Sequence, residues 1–191
     1  MKNDLKFQIN HNVKTVENLF NHEKIIFKII KQISSCLKKG KKVLICGNGG
    51  SNADAQHLST EFLVRLRPNI NRRSYPVISL SQDVSTVTAC GNDLGFENIF
   101  SRNLEGLYSN GDILLILSTS GNSKNILKVL KKAKQMNVNT ISILGNNGGK
   151  ARKMAKIELL INEKNVARIQ EAQKFLGHYI FEKVENILIK K

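Results

Sequence analysis

Between residues 16 and 37 apolar side chains return every three or four positions: Val16, Leu19, Phe20, Ile26, Ile29, Ile30, Ile33 and Leu37. That step matches the helical repeat, so residues 1–40 are predicted as a helical segment. Gly40 closes it, as glycine commonly does at a helix C-terminus. From residue 43 the period changes. Short, mainly apolar runs at 43–46, 77–80, 113–117, 140–144 and 157–161 alternate with helical stretches near 52–66, 83–90, 123–136 and 149–155. A last helix is predicted over 167–189. Strands that are apolar throughout, rather than at every second position, belong to a parallel sheet covered on both faces. The expected class is α/β, one domain over 1–191. Its N-terminal segment, 1–40, either covers the sheet or meets another subunit. Residues 67–76 (RPNINRRSYP) read as the most loop-like stretch.

Composition narrows the class without changing the fold. The 191 residues are 41% hydrophobic and 24% charged, as in soluble globular proteins. No apolar run approaches the roughly 20 residues of a membrane span. The first residues, MKNDLKFQINHN, contain no apolar stretch of the signal-peptide kind, so a cytoplasmic location is expected. Cys36, Cys46 and Cys90 are scattered without C-x-x-C spacing, which argues against a disulfide framework and a thiolate metal site. The net charge of +15 raises the question of nucleic acid. The lysines are dispersed, with small clusters at 38–42, 131–134 and 190–191, and aromatic residues are only 6%, too few for a stacking surface. The charge reads as a solvated surface with some attraction for an anionic substrate.

Two polar loops follow predicted strands, where open α/β sheets place their ligands. Gly47-Asn48-Gly49-Gly50-Ser51 follows VLIC; its glycines allow a sharp turn and close approach to a ligand, and Ser51 suits a helix N-cap. Ser118-Thr119-Ser120-Gly121-Asn122-Ser123 follows ILLIL and opens a helix. Four hydroxyls and a glycine at a helix N-terminus suit a phosphate, since one hydroxyl would suffice for a cap. The loop lacks the G-x-x-x-x-G-K-[ST] spacing of a nucleotide P-loop. His57 and Glu61 are four apart on the helix after the first loop, so they face the same way, as a shared metal or a coupled acid–base pair requires. Gln170 and His178, eight apart on the last helix, overlap only loosely in direction. Aldose–ketose isomerisation needs a base beside the carbonyl, a proton source at its oxygen and a remote grip for orientation. A carboxylate, an imidazole and a phosphate loop supply these.

The run GNGGS-x-A-D-A-Q-H-x-x-x-E, then TACGNDLGFENIF, then STSGNS, then ARIQEA…GH resembles the bacterial phosphoheptose isomerases, single-domain members of the sugar isomerase (SIS) family. The four motifs agree in order and spacing from about residue 15 onward. The resemblance implies a flavodoxin-like three-layer α/β/α sandwich with a five-stranded parallel sheet. It implies a homotetramer with active sites between subunits, and conversion of sedoheptulose 7-phosphate to D-glycero-D-manno-heptose 7-phosphate for lipopolysaccharide or capsule. By the same resemblance Glu61 is the base and His178 the acid. Asn48, Gly49, Gly50 and Ser51 form a substrate loop, and Ser118, Thr119, Ser120 and Ser123 the phosphate cradle. Arg65, Asn92, Asp93 and Gln170 contact substrate, and His57, Glu61, Gln170 and His178 form a zinc site. The two roles thus implied for Glu61 and His178 are in tension, because metal-bound groups are less free to move protons.

This chain departs from the family pattern at Ala167, where an aspartate is common, and at Gln173, where a histidine is common. It is also unusually basic at Arg67, Arg72 and Arg73. These departures bear on which sugar phosphate is preferred. Two other classes compete with this reading. One is a non-catalytic SIS protein that binds the bacterial replication initiator; that group tends to lose the carboxylate and the terminal histidine that this chain keeps. The other is a sugar-phosphate-sensing regulator, which carries a DNA-binding domain too large for the segment before the first strand.

Overall fold

The computed structural model describes residues 2–190; Met1 and Lys191, the two ends of the expected domain, the second also the end of its last lysine pair, lie outside the described residues. The N-terminal segment is two helices rather than one. Helix α1 (Lys2–Glu17) and helix α2 (Glu23–Lys38) are separated by a 3₁₀ turn at Asn18–His22. Phe20 lies in that turn, 81% exposed, while Leu19 is buried, so the apolar repeat ran on through a break that neither glycine nor proline marks. Gly40 ends α2 as expected, at φ +70°. Gly40 N–H bonds the Leu37 carbonyl and Lys41 N–H the Cys36 carbonyl, which satisfies the last carbonyls of the helix in a Schellman arrangement.

Five strands follow: β1 (Val43–Cys46), β2 (Val77–Ser79), β3 (Ile113–Ser118), β4 (Asn139–Gly145) and β5 (Ile157–Ile161). They form one parallel sheet in the order β2-β1-β3-β4-β5. This is the flavodoxin-like order, whose direction of winding reverses between β1 and β3. Alternate strand residues feed two cores. Val43, Ile45, Ile113, Leu115 and Leu117 pack with α2, with α3 (Gly50–Leu63) and with the last of the helices, Val166–Ile189. Leu44, Cys46, Leu114 and Ile116 pack with α4 (Val84–Asp93), α5 (Ile99–Leu107) and α6 (Lys124–Gln135) on the other face. The terminal helix is therefore α7. Burial on both faces is what the continuous apolar runs of β1 and β3 require.

Two helical expectations need correction. The helix near 149–155 is only a 3₁₀ turn at Gly149–Ala151. Gly148 and Gly149 both take positive φ (+82° and +53°), a conformation that cannot propagate a right-handed helix. Conversely, α5 lies where no helix was predicted. Its buried residues Ile99, Phe100, Ser101 and Leu104 mark one face, and the polar residues between them hid the period. All three cysteines are buried and unpaired; burial raises the Cys36 thiol to about 12 and pushes Cys46 up as well, so both are held as inert thiols. No helix among the described residues is long and apolar enough to cross a membrane.

Candidate active site

The two polar loops leave the C-terminal ends of β1 and β3, on either side of the point where the winding reverses. In the first, Gly49 takes φ +54° and ψ −122°, a region open to glycine, and it stands in the N-cap position of α3. Ser51 is therefore not the cap. Its buried hydroxyl instead lies 3.4 Å from Oε1 of Gln173, whose Nε2 donates to the Ile143 carbonyl at 2.9 Å. Gln173 is fully buried, so this departure from the family pattern ties α7 to the sheet and to the start of α3. Asn48 is held by a reciprocal amide pair with Asn125, both contacts 2.8 Å. Sequence reading missed Asn125. The available signal was a buried asparagine in the apolar stripe of α6 that contains Ile126, Val129, Leu130 and Ala133.

The second loop is a set of small turns. Ser118 Oγ accepts from Gly121 N–H at 3.0 Å, and Ser120 Oγ accepts from Asn122 N–H at 3.2 Å. Ser123 stands in the N-cap position of α6 but its side chain makes no capping bond. Ile126 N–H is taken by Asn125 Oδ1 at 2.9 Å, which leaves the amides of Lys124 and Asn125, at the start of this 12-residue helix, without a side-chain cap. Asn48, Gly49, Ser123 and Asn125 line one hollow of about 520 Å³ together with Phe96, Glu97 and Lys124. The glycine loop and the serine loop thus share a depression.

The structure brings the expected acid–base groups together from distant parts of the chain. Nε2 of His57 on α3 is 2.7 Å from Nε2 of His178 on α7, a hydrogen bond that requires one ring to donate and the other to accept. His57 Nε2 is 3.5 Å from Glu61 Oε1, and one donor atom from each of the three residues lies within 4.8 Å of the others. All three are partly exposed. Gln170, two turns before His178, presses its amide on Gly50; a Cβ at position 50 would come within 2.4 Å of Gln170 Nε2. A larger residue there would displace the end of the Gln170 side chain. Asp54, a residue the sequence reading did not single out, lies on α3 one turn before His57. Burial raises its carboxyl above the usual range, opposed by Lys174 and by the two histidines. Three other expected residues stand apart. Arg65 is exposed, and Asn92 donates to Asp93 at 2.8 Å on the exposed end of α4. None of the three makes a hydrogen bond or ion pair to the histidine–glutamate group among the described residues.

Two imidazoles and a carboxylate are the donor types zinc takes in catalytic sites, and three such groups converging at one place fit an ion of that kind. The fourth expected donor, Gln170, is brought to the neighbouring end of α3.

Comparison with known proteins agrees with this geometry. The family model for the SIS domain matches residues 9–145. A phosphoheptose isomerase of Pelodictyon phaeoclathratiforme is 43% identical over 86% of this chain and 78% of its own length. One of Clostridium acetobutylicum is 38% identical over 98% of this chain and 96% of its own. A solved phosphoheptose isomerase from Francisella tularensis superposes with a TM-score of 0.87 at 32% identity, covering 97% of this chain and 98% of that one. The chain belongs to the SIS-domain family, and within it to the phosphoheptose isomerases.

Proposed function

We infer that this chain is an aldose–ketose isomerase that converts sedoheptulose 7-phosphate to D-glycero-D-manno-heptose 7-phosphate. The observation that carries the reading is the meeting of Glu61 and His178, from helices far apart in sequence, in a chain of this family. In the ketose the carbonyl is at C2. Glu61 removes a proton from C1, and the electrons of that bond form an enediol across C1 and C2. Return of a proton to C2, with transfer of the hydroxyl proton from O1 to O2, leaves an aldehyde at C1. His178 serves the oxygen protons and the opening of the sugar ring. An imidazole suits that work because its two forms exchange near neutral pH.

The serine loop holds the phosphate through Ser118, Thr119, Ser120, Ser123 and the first amides of α6, far from the reacting carbons. Asn48, Gly49, Gly50, Ser51 and Gln170 line the sugar. Arg65, Asn92 and Asp93 are exposed on this chain and reach substrate in a homotetramer whose sites lie between subunits. Exposed apolar side chains of the N-terminal segment (Leu5, Phe7 and Ile9 on α1, Phe20 in the turn and Phe27 on α2) support such an assembly. His57, Glu61, Gln170 and His178 would hold zinc, which when bound polarises a carbonyl or alkoxide oxygen. The enzyme acts in the cytoplasm, on a sugar destined for lipopolysaccharide or capsule.

Removing one phosphate-binding hydroxyl tests the cradle. A hydrogen bond to a charged group contributes roughly 1.5–3 kcal/mol, so Ser120→Ala is expected to raise KM about tenfold or more. Because the grip is remote, kcat stays within about twofold. Steady-state kinetics decide: a large fall in kcat at unchanged KM would remove Ser120 from the cradle.

A further inference from the structure

We propose that Arg72 and Glu185 are positioning residues that set Glu61 against His178; this rests on the reading of those two groups as base and acid. The loop at 67–76, whose arginines depart from the family pattern, folds back on α3 and α7. Glu185 on α7 is fully buried, and both of its oxygens are taken: Oε1 by Arg72 Nε and Oε2 by Arg67 Nε, each at 2.6 Å. A buried carboxylate is tolerated only when its charge and lone pairs are matched in this way. The Arg72 side chain is itself only 3% exposed.

The rest of the Arg72 guanidinium faces the end of α3. One terminal nitrogen donates to the carbonyl of Glu61 at 2.7 Å, and the other to the carbonyl of Phe62 at 3.0 Å. These belong to the last turn of α3, whose carbonyls have no partner within the helix and attract a cation. The bond to residue 61 is made by the backbone of the base itself. The guanidinium also lies over the Phe62 ring at 5.1 Å, and Phe62 packs edge-on against Phe181 of α7 at 4.6 Å.

At its other end this arrangement reaches the acid. Glu185 follows His178 by seven residues, two helical turns along the same stripe and about 10 Å on. A rigid chain therefore runs from the His178 helix through Glu185 and Arg72 to the Glu61 backbone. It fixes how far α3 slides along α7, and so how the carboxylate meets the imidazole. A lysine in place of Arg72 keeps the charge but cannot reach Glu185 and two carbonyls together.

The test compares Arg72→Met, Arg72→Lys and the control Arg73→Met with the unaltered enzyme. It measures kcat, KM, thermal stability, metal content and the ¹⁵N imidazole resonances of the histidines. A displacement of about 1 Å costs on the order of 10²-fold, so kcat of Arg72→Met is expected to fall 30- to 100-fold with KM nearly unchanged. Arg72→Lys recovers part of that loss, the His57 and His178 resonances shift, and Arg73→Met is unaffected. Should Arg72→Met fail to fold, Arg72→Met/Glu185→Met removes both buried charges together and is expected to show the same fall. Normal kcat per folded enzyme with unshifted histidine signals, whatever the melting temperature, would reduce the pair to a stability brace. Glu61→Gln is assayed in parallel. Retained turnover there overturns the assignment of the base and this proposal with it, whereas an inactive Glu61→Gln beside a fully active Arg72→Met overturns the positioning role alone.

Discussion

Glu61→Gln is expected to lower kcat by roughly 10³-fold, since a positioned general base contributes about 10²–10⁴. The substitution keeps the size of the side chain and one carbonyl oxygen but removes the negative charge and the proton-accepting capacity. KM should stay within about threefold, because the cradle at 118–123 and the glycine loop are untouched. Glu61 is also one of the candidate metal donors, 3.5 Å from His57, so metal content is measured alongside. A fall in kcat with metal retained assigns the loss to the base. A fall that added zinc reverses assigns it to the ion, and near-normal turnover removes Glu61 from the chemistry.

Gly121→Ala should have the largest structural effect among single substitutions near the substrate. Gly121 has φ +63°, and a Cβ there would lie 2.0 Å from the Gly148 carbonyl oxygen. Its neighbour is backbone, which cannot swing aside as a side chain would. The loop after β3 in fact rests on the loop after β4. Ala151 N–H bonds the Gly121 carbonyl at 2.9 Å, Lys150 N–H bonds Asn122 Oδ1 at 3.0 Å, and a Cβ at Gly149 would come within 2.3 Å of the Ser120 carbonyl. The left-handed backbone costs about 1–2 kcal/mol for alanine and the forced displacement another 1–3. At ~2–4 °C per kcal/mol for a chain of this size, the melting temperature should drop by roughly 10 °C. The displaced hydroxyls should also raise KM by about tenfold. An unchanged melting curve and KM would show that the two loops do not depend on one another.

Much of the architecture could be read directly from the chain. All five strands announce themselves because the sheet is largely buried on both faces, which keeps the runs mostly apolar; Ser79, Thr140, Ser142 and Glu158 are the polar residues within them. The loops at 47–51 and 118–123 were legible because each follows a strand directly. The break between α1 and α2 was not, since Asn18–His22 carries no glycine or proline. The stretch 149–155 (GKARKMA) looked helical because its alternation of apolar and basic residues outweighed the glycines at 148 and 149, whose positive φ only the fold reveals.

The site was legible in its parts and not in its assembly. His57 and Glu61 share a helix face by spacing alone. Their approach to His178, 121 residues from His57, depends on how α3 and α7 cross the sheet. Residues whose partners are remote were harder still. Arg72 looked like part of a basic surface until its partner, 113 residues on, proved to be a buried glutamate. Asn48 and Asn125 form a pair that local patterning cannot express. Asp54 lies beside the histidines on a helix already assigned, yet nothing in its neighbours distinguishes it from a surface aspartate.

The central claim is isomerisation of a seven-carbon ketose phosphate at this site, and NMR of the purified protein with sedoheptulose 7-phosphate, with and without added zinc, tests it most directly. The account predicts that ketose signals decline as those of an aldoheptose 7-phosphate appear, with the rate in the two arms reporting whether the ion assists the residues or competes with them. No conversion in either arm by protein that is folded would contradict the account and leave a sugar-phosphate fold that binds without catalysing.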